Sequence, residues 1–176
     1  MLNVTIGEER FSIKNEFNEI TIGEFETITE LLNDKNKDNF EKFYSVFILL
    51  GIDVDMLDQI DLNGFSTLIN EWKDFGDLDI DSFVRTVEFD GVTYSAYEEG
   101  KEFKFTVKMM RQINAINKTD IKYSDVLSVI FKNDETDDKE VKSELFNNIT
   151  CDIALPYIIK YNSEIMNSID NIMKNA

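Results

Sequence analysis

The sequence contains no histidine, one cysteine, one proline, one tryptophan and only seven glycines in 176 residues. Without histidine there is no Ser-His-Asp triad, no Cys-His pair, no His-ligated zinc and no imidazole proton shuttle. Cys151 lies in the stretch NITCDIALP, without a second thiol and without a basic neighbour to activate it. It reads as a buried structural thiol, unable to form an intrachain disulfide or a thiolate metal cage. The glycines are scattered, and neither GxGxxG nor a P-loop run exists to cradle phosphates. No segment rich in Gly, Ser or Pro marks a linker, which leaves Phe75 to Asp81 as the one candidate junction. The longest apolar run, Phe47 to Ile52, is far short of the roughly 20 residues of a membrane span. The N-terminal stretch MLNVTIGEER lacks the basic and apolar regions of a signal peptide. These absences lead to the expectation of a soluble, non-catalytic protein of a reducing compartment, with no cofactor, no metal and no membrane partner.

Acidic charge dominates what is present. Against 18 Lys and Arg stand 35 Asp and Glu, a net charge of −17, whereas nucleic-acid binders present a basic face. Direct nucleic-acid binding is therefore not expected. Yet 43% of residues are hydrophobic, with 14 Phe and 6 Tyr, too much apolar material for a disordered acidic tail. The length suits one domain over residues 1–176.

Hydrophobic patterning gives a mainly α fold with two small antiparallel β-hairpins, an α+β chain. Leu2, Val4 and Ile6 alternate with polar residues, Gly7-Glu8-Glu9 turns, and Phe11 and Ile13 alternate again. Thr21 and Glu24 have capping-box spacing and open a helix through about Leu32. Phe40, Phe43, Tyr44, Phe47 and Leu50 mark a helix closed by Gly51. Asp53 and Asp61 suit the caps of a short helix near Val54 to Ile60 and a longer one from Leu62 to about Phe75. Arg85 to Phe89 and Val92 to Tyr97 flank Asp90-Gly91, a dipeptide suited to positive φ in a tight turn. Thr106 then precedes a helix over Val107 to Ile116, followed by helices over Ser124 to Phe131 and Lys139 to Asn148, with a solvated acidic loop from Asn133 to Asp138 between these two. Pro156 suits the first turn of the last helix, which runs to about Met173.

At an offset of 83, Val4 falls on Val87 and Tyr44 to Phe47 on Leu127 to Ile130, while the Thr-led helices match to within a residue or two. Two readings follow: a pseudo-repeat with halves 1–76 and 84–176, or coincidence among common apolar residues.

Few residues point to chemistry. Asp77, Asp79 and Asp81 with Glu88 imitate a calcium loop, but Ser82 stands where the sharp turn requires Gly, and Glu88 falls in a strand. A solvated turn or edge strand is the better reading. Carboxylate pairs such as Asp53 and Asp55, or Glu98 and Glu99, are unavoidable among so many acids, and no spacing singles one out as an acid-base pair. Ile158, Tyr161, Ile165, Ile169 and Ile172 form one stripe of the last helix. Such a stripe reads first as core packing, while the seven-residue recurrence of Ile158, Ile165 and Ile172 would also serve a partner-binding surface.

The DG hairpin from Val87 to Tyr97, the Thr-led helix Thr106 to Ile116, the helix and acidic loop Val126 to Asp138 and the closing helix after Pro156 resemble the tail or baseplate-hub assembly chaperones of T-even-type tailed bacteriophages. The first half shares with that family a Thr-initiated helix, Thr21 to Leu32, and a later Gly51-Ile52 junction. The resemblance implies a viral protein that acts in virion assembly, or as a minor structural component, in the host cytoplasm. Its partners would be phage structural proteins, tail or baseplate-hub components, engaged through apolar helix faces, and it carries no catalytic residues over. The net charge also supports a second reading, an acidic DNA mimic that inhibits a host nucleic-acid-binding enzyme.

Overall fold

A computed structural model describes residues 1–73, 77–116, 120–133 and 139–174; for residues 139–140 and 167–174 it describes the backbone only. The contacts divide the chain into two compact units, Met1–Leu78 and Asp79–Ala176. The division falls within a few residues of the pseudo-repeat halves 1–76 and 84–176. Helices dominate, with two small antiparallel sheets of two strands each, a mainly α member of the α+β class.

The first unit begins with β1 (Leu2–Ile6) paired to β2 (Glu9–Ile13), joined by a two-residue turn in which Gly7 takes φ 64°. Only the alternate side chains Val4, Phe11 and Ile13 are buried, as period-2 patterning requires. Helix α1 (Ile22–Asn33) starts in a complete capping box: the Thr21 hydroxyl accepts the Glu24 amide at 3.2 Å, and the Glu24 carboxylate accepts the Thr21 amide at 2.9 Å. Helix α2 (Asn39–Leu49) ends in a Schellman motif, the Ile52 amide donating to the Phe47 carbonyl at 3.0 Å and that of Gly51, at φ 92°, to Ile48 at 3.0 Å. Asp53 and Asp61 cap α3 (Val54–Asp58) and α4 (Leu62–Trp72). Helix α4 ends at Trp72 with Lys73 as its cap, short of the expected Phe75, which itself lies outside the described residues. Phe47, Phe65 and Trp72 meet edge to face at 5.7–5.9 Å between ring centroids, and the Trp72 indole donates to the Lys14 carbonyl at 3.0 Å.

The second unit repeats this order of elements. Strands β3 (Thr86–Phe89) and β4 (Val92–Ser95) turn through Asp90 and Gly91, both with positive φ (50° and 79°), the type I′ arrangement that a DG dipeptide favours. The hairpin registers correspond at the offset of 83: Val4 faces Phe11, and Val87 faces Tyr94. The N-caps Thr21 and Thr106 each precede a buried isoleucine by seven residues, Ile28 and Ile113. Helices α5 (Val107–Asn114), α6 (Tyr123–Ile130), α7 (Lys139–Phe146) and α8 (Cys151–Lys174) complete the unit. The acidic loop expected over Asn133 to Asp138 lies outside the described residues from Asp134 onward.

Helix α8 corrects one expectation. It starts at Cys151, where the Thr150 carbonyl accepts the amides of Ile153 and Ala154, so Pro156 sits inside the helix and not in its first turn. A proline there removes the amide that would bond to the Asp152 carbonyl, at a cost of roughly 3 kcal/mol. Opposing that cost is dense local burial: Cys151, Ala154, Leu155, Tyr157 and Ile158 all lie in the core.

Candidate functional site

Three places concentrate chemistry or unusual exposure: helix α8, a buried polar cluster under α7, and an open cleft beside β4.

The predicted stripe of α8 divides along the helix. Tyr157 is fully buried and Ile158 is 2% exposed. Tyr157 stands among Phe83, Phe103 and Phe131 at 4.8–5.1 Å, with its hydroxyl donating to the Val84 carbonyl at 2.6 Å. Burial, with Tyr97 nearby, pushes the Tyr157 phenol far above its ordinary value, so it remains a donor. Ile158 is thus a core residue. Tyr161 is half-buried against Phe105 at 5.4 Å, and Ile165 is also half-buried. The side chains of Ile169 and Ile172 lie outside the described residues.

The outward apolar residues are ones the stripe omits. Ile159 is 40% exposed and Met166 60% exposed. Seven residues apart, they share one face of the helix. Ile159 carried no separate sequence signal, because it sits directly beside Ile158 and only the packing of the unit shows which of the two faces inward. Among the described side chains of α8, none beyond Ile158 is buried, although the helix runs on for 24 residues in all, a length of about 36 Å.

Asp125, Ser124, Ser128, Lys142 and Ser143 are all buried. The Ser143 hydroxyl donates to Asp125 Oδ1 at 2.9 Å, the Lys122 amide to Oδ2 at 3.1 Å, and Ser128 to the Asp125 carbonyl at 2.7 Å. Ser124 Oγ lies 3.2 Å from Ser143 Oγ. A hydroxyl that is held by a carboxylate and closed to solvent cannot meet a substrate. The cluster joins α6 to α7.

The cleft, about 760 Å³ and open to solvent, is lined by Arg85 just before β3, by residues of β4 and of the segment that follows it into α5, and by Lys132 and Asn133. Its floor is fixed by the backbone: Ser95 and Lys132 exchange hydrogen bonds at 2.8 and 2.9 Å, and the Asn133 side-chain amide donates to the Thr93 carbonyl at 2.8 Å. Four cations line it, Arg85, Lys101, Lys104 and Lys132, with Glu98 and Glu102 as the acids; Lys101 is ion-paired with Glu98.

The remaining predicted motifs resolve into local structure. Asp53 Oδ1 accepts the amides of Asp55 and Met56, which makes it a helix cap and not half of an acid-base pair. Asp79 accepts the Asp81 amide at 3.1 Å, and Glu88 is in β3 opposite Thr93. Among the described residues no group of three or more carboxylates or thiols is placed to hold a metal ion, and no helix is long and apolar enough to cross a membrane. Comparison with protein-family models, curated proteins and solved structures finds no match.

Proposed function

We propose that this protein is a non-catalytic assembly factor that binds a protein partner through the projecting part of α8, in the manner the resemblance to phage tail and baseplate-hub chaperones implies. The observation that carries the reading is the change of environment along one helix. Its first eight residues are largely core, whereas Ile159 and Met166 leave apolar surface in water and Tyr161 and Ile165 are only partly covered. A partner groove would take up this surface as an amphipathic helix docks, by residues three, four and seven apart. The acidic surface favours solubility and opposes nonspecific association.

Charge placement favours this reading over a DNA mimic. Asp38, Asp53 and Asp61 are spent on helix N-termini, and Glu24 on a capping box with Lys14. Residues 85–133 carry eight Lys and Arg against seven Asp and Glu. A mimic would need an unbroken stripe of carboxylates at phosphate-like spacing.

The test is affinity purification of the intact chain from phage-producing cells, with the wild type compared to an Ile159→Asp, Met166→Asp double variant. Both side chains are exposed, so the variant should fold. Recovery of a tail or baseplate component by the wild type and its loss in the variant is the expected result. A folded variant that still recovers the same component removes this face of α8 from the interface. An Ile165→Asp, Ile169→Asp variant extends the test along the stripe. Co-purification with a host nuclease or polymerase, in a complex that dissolves steeply with salt, would replace the assembly reading with the mimic.

A further inference from the structure

We propose that the cleft beside β4 binds a small phosphorylated molecule. This rests on a different surface from the partner reading and is independent of it. The whole chain has nearly twice as many acids as bases, yet four cations converge on this one concavity. Lys101 is neutralised by Glu98, but among the described residues no ion pair engages Arg85, Lys104 or Lys132. Like charges gathered without partners repel one another, and a bound anion relieves that repulsion.

The geometry suits such a ligand. The volume of about 760 Å³ falls within the range of roughly 300–1,000 Å³ typical of small-molecule sites. Arg85 is half-buried and lines the cleft, and its carbonyl accepts the Ala96 amide at 2.9 Å, which fixes its backbone there. Lys132 is held in the same way by its paired hydrogen bonds to Ser95. Thr106, the N-cap of the eight-residue α5, lines the cleft and brings the positive end of that helix to it. Thr93 and Ser95 add hydroxyl groups.

Charge number selects the ligand class. The lining carries four cations against two acids, a net positive charge that suits a phosphoryl group or a diphosphate, and the planar fork of arginine fits phosphate oxygens two at a time. The ligand must also be compact. The chain as a whole carries a net charge of −17, which opposes the approach of an extended nucleic-acid backbone.

Isothermal titration calorimetry of the intact chain at low salt, with inorganic pyrophosphate and with ADP as probes, tests the assignment. Saturable binding of at least one probe is expected, weakened about tenfold or more by Arg85→Ala and by Lys132→Ala, and unchanged by Lys35→Ala, an exposed lysine of the first unit. Arg85→Lys, which keeps the charge and loses the fork, should fall between. If Arg85→Ala fails to fold, Lys104→Ala and Lys132→Ala alter exposed side chains only and carry the test. Absence of binding of both probes up to about 5 mM, weaker than any specific site needs, overturns the proposal. So does binding that folded Lys104→Ala and Lys132→Ala variants leave unchanged. Tighter binding of a single-stranded oligonucleotide than of either probe would replace the small ligand by a nucleic acid.

Discussion

The hydroxyl of Tyr157 donates to the carbonyl of Val84 at 2.6 Å across 73 residues of sequence, tying the first turns of α8 to the segment that leads into β3. In the first unit Trp72 plays the corresponding part, its indole donating to the Lys14 carbonyl just after β2. Each unit thus closes its aromatic core with a ring on its last helix, whose one polar atom satisfies a backbone acceptor beside the hairpin.

Tyr157→Phe should keep the ring packing and lose only the donor. Leaving the Val84 carbonyl without its donor is expected to cost about 1–3 kcal/mol, read as a lower denaturation midpoint with an unchanged circular-dichroism spectrum. An unchanged midpoint would show that the carbonyl finds water instead.

Alkaline stability follows from the same residue. Burial raises the phenols of Tyr157 and Tyr161, so both stay protonated in the fold while an unfolded chain would ionise near pH ~10. Their contribution is complete below that pH and is lost as pH rises toward the folded values, because the unfolded state releases protons first. Ultraviolet titration should show tyrosines that ionise only as the protein unfolds. Tyr157→Phe should remove the latest of them.

Glu24 sets an opposite dependence. Burial works to raise its carboxyl, but the Lys14 ammonium at 2.6 Å and the Thr21 amide together outweigh this and hold it below the usual range. The stabilisation is present above the unfolded glutamate value, about pH 4.3, and fades as pH falls through the folded one. Thermal melts at pH 7 and pH 3 should differ less for Glu24→Gln than for the wild type.

Gly64 is buried where α4 meets β1, and a Cβ there would lie 2.4 Å from Ile60 Cγ2 and 2.5 Å from Ile6 Cγ2. Both contacts are with β-branched side chains that have little rotamer freedom. Gly64→Ala should therefore destabilise by about 1–3 kcal/mol, despite a helix-propensity gain near 1 kcal/mol. Combined with Ile6→Ala, which removes one clash, the loss should be smaller than the sum of the two single changes.

Removing the buried carboxylate of Asp125 takes the acceptor from the Lys122 amide and leaves the Ser143 hydroxyl only the longer contact to Ser124 Oγ at 3.2 Å. Asp125→Ala should cost about 2–4 kcal/mol and should expose α7 first, seen as faster hydrogen exchange over residues 141–146 than over α6.

Local sequence determined most of the secondary structure, because its signals act over two to four residues. Asp90-Gly91 adopts the two positive φ values of its turn, Thr21 and Glu24 close their capping box, and Asp53 and Asp61 cap the helices they precede. The common element order of the two units was legible for the same reason, as a spacing of turns and caps. Long-range packing decided the rest. Pro156 reads locally as a helix start and lies within a helix, because burial of the residues around it outweighs a missing hydrogen bond. Asp125 is a carboxylate in the core, where the Ser143 hydroxyl from α7 and the Lys122 amide satisfy it. Ile158 and Ile159 are adjacent and chemically alike, and one is core while the other faces water. Arg85, Lys104 and Lys132 become neighbours only because the chain from 96 to 131 returns to lay Lys132 against Ser95. Caps and turns are short-range and written in adjacent residues, whereas burial and the convergence of charge are properties of the folded surface.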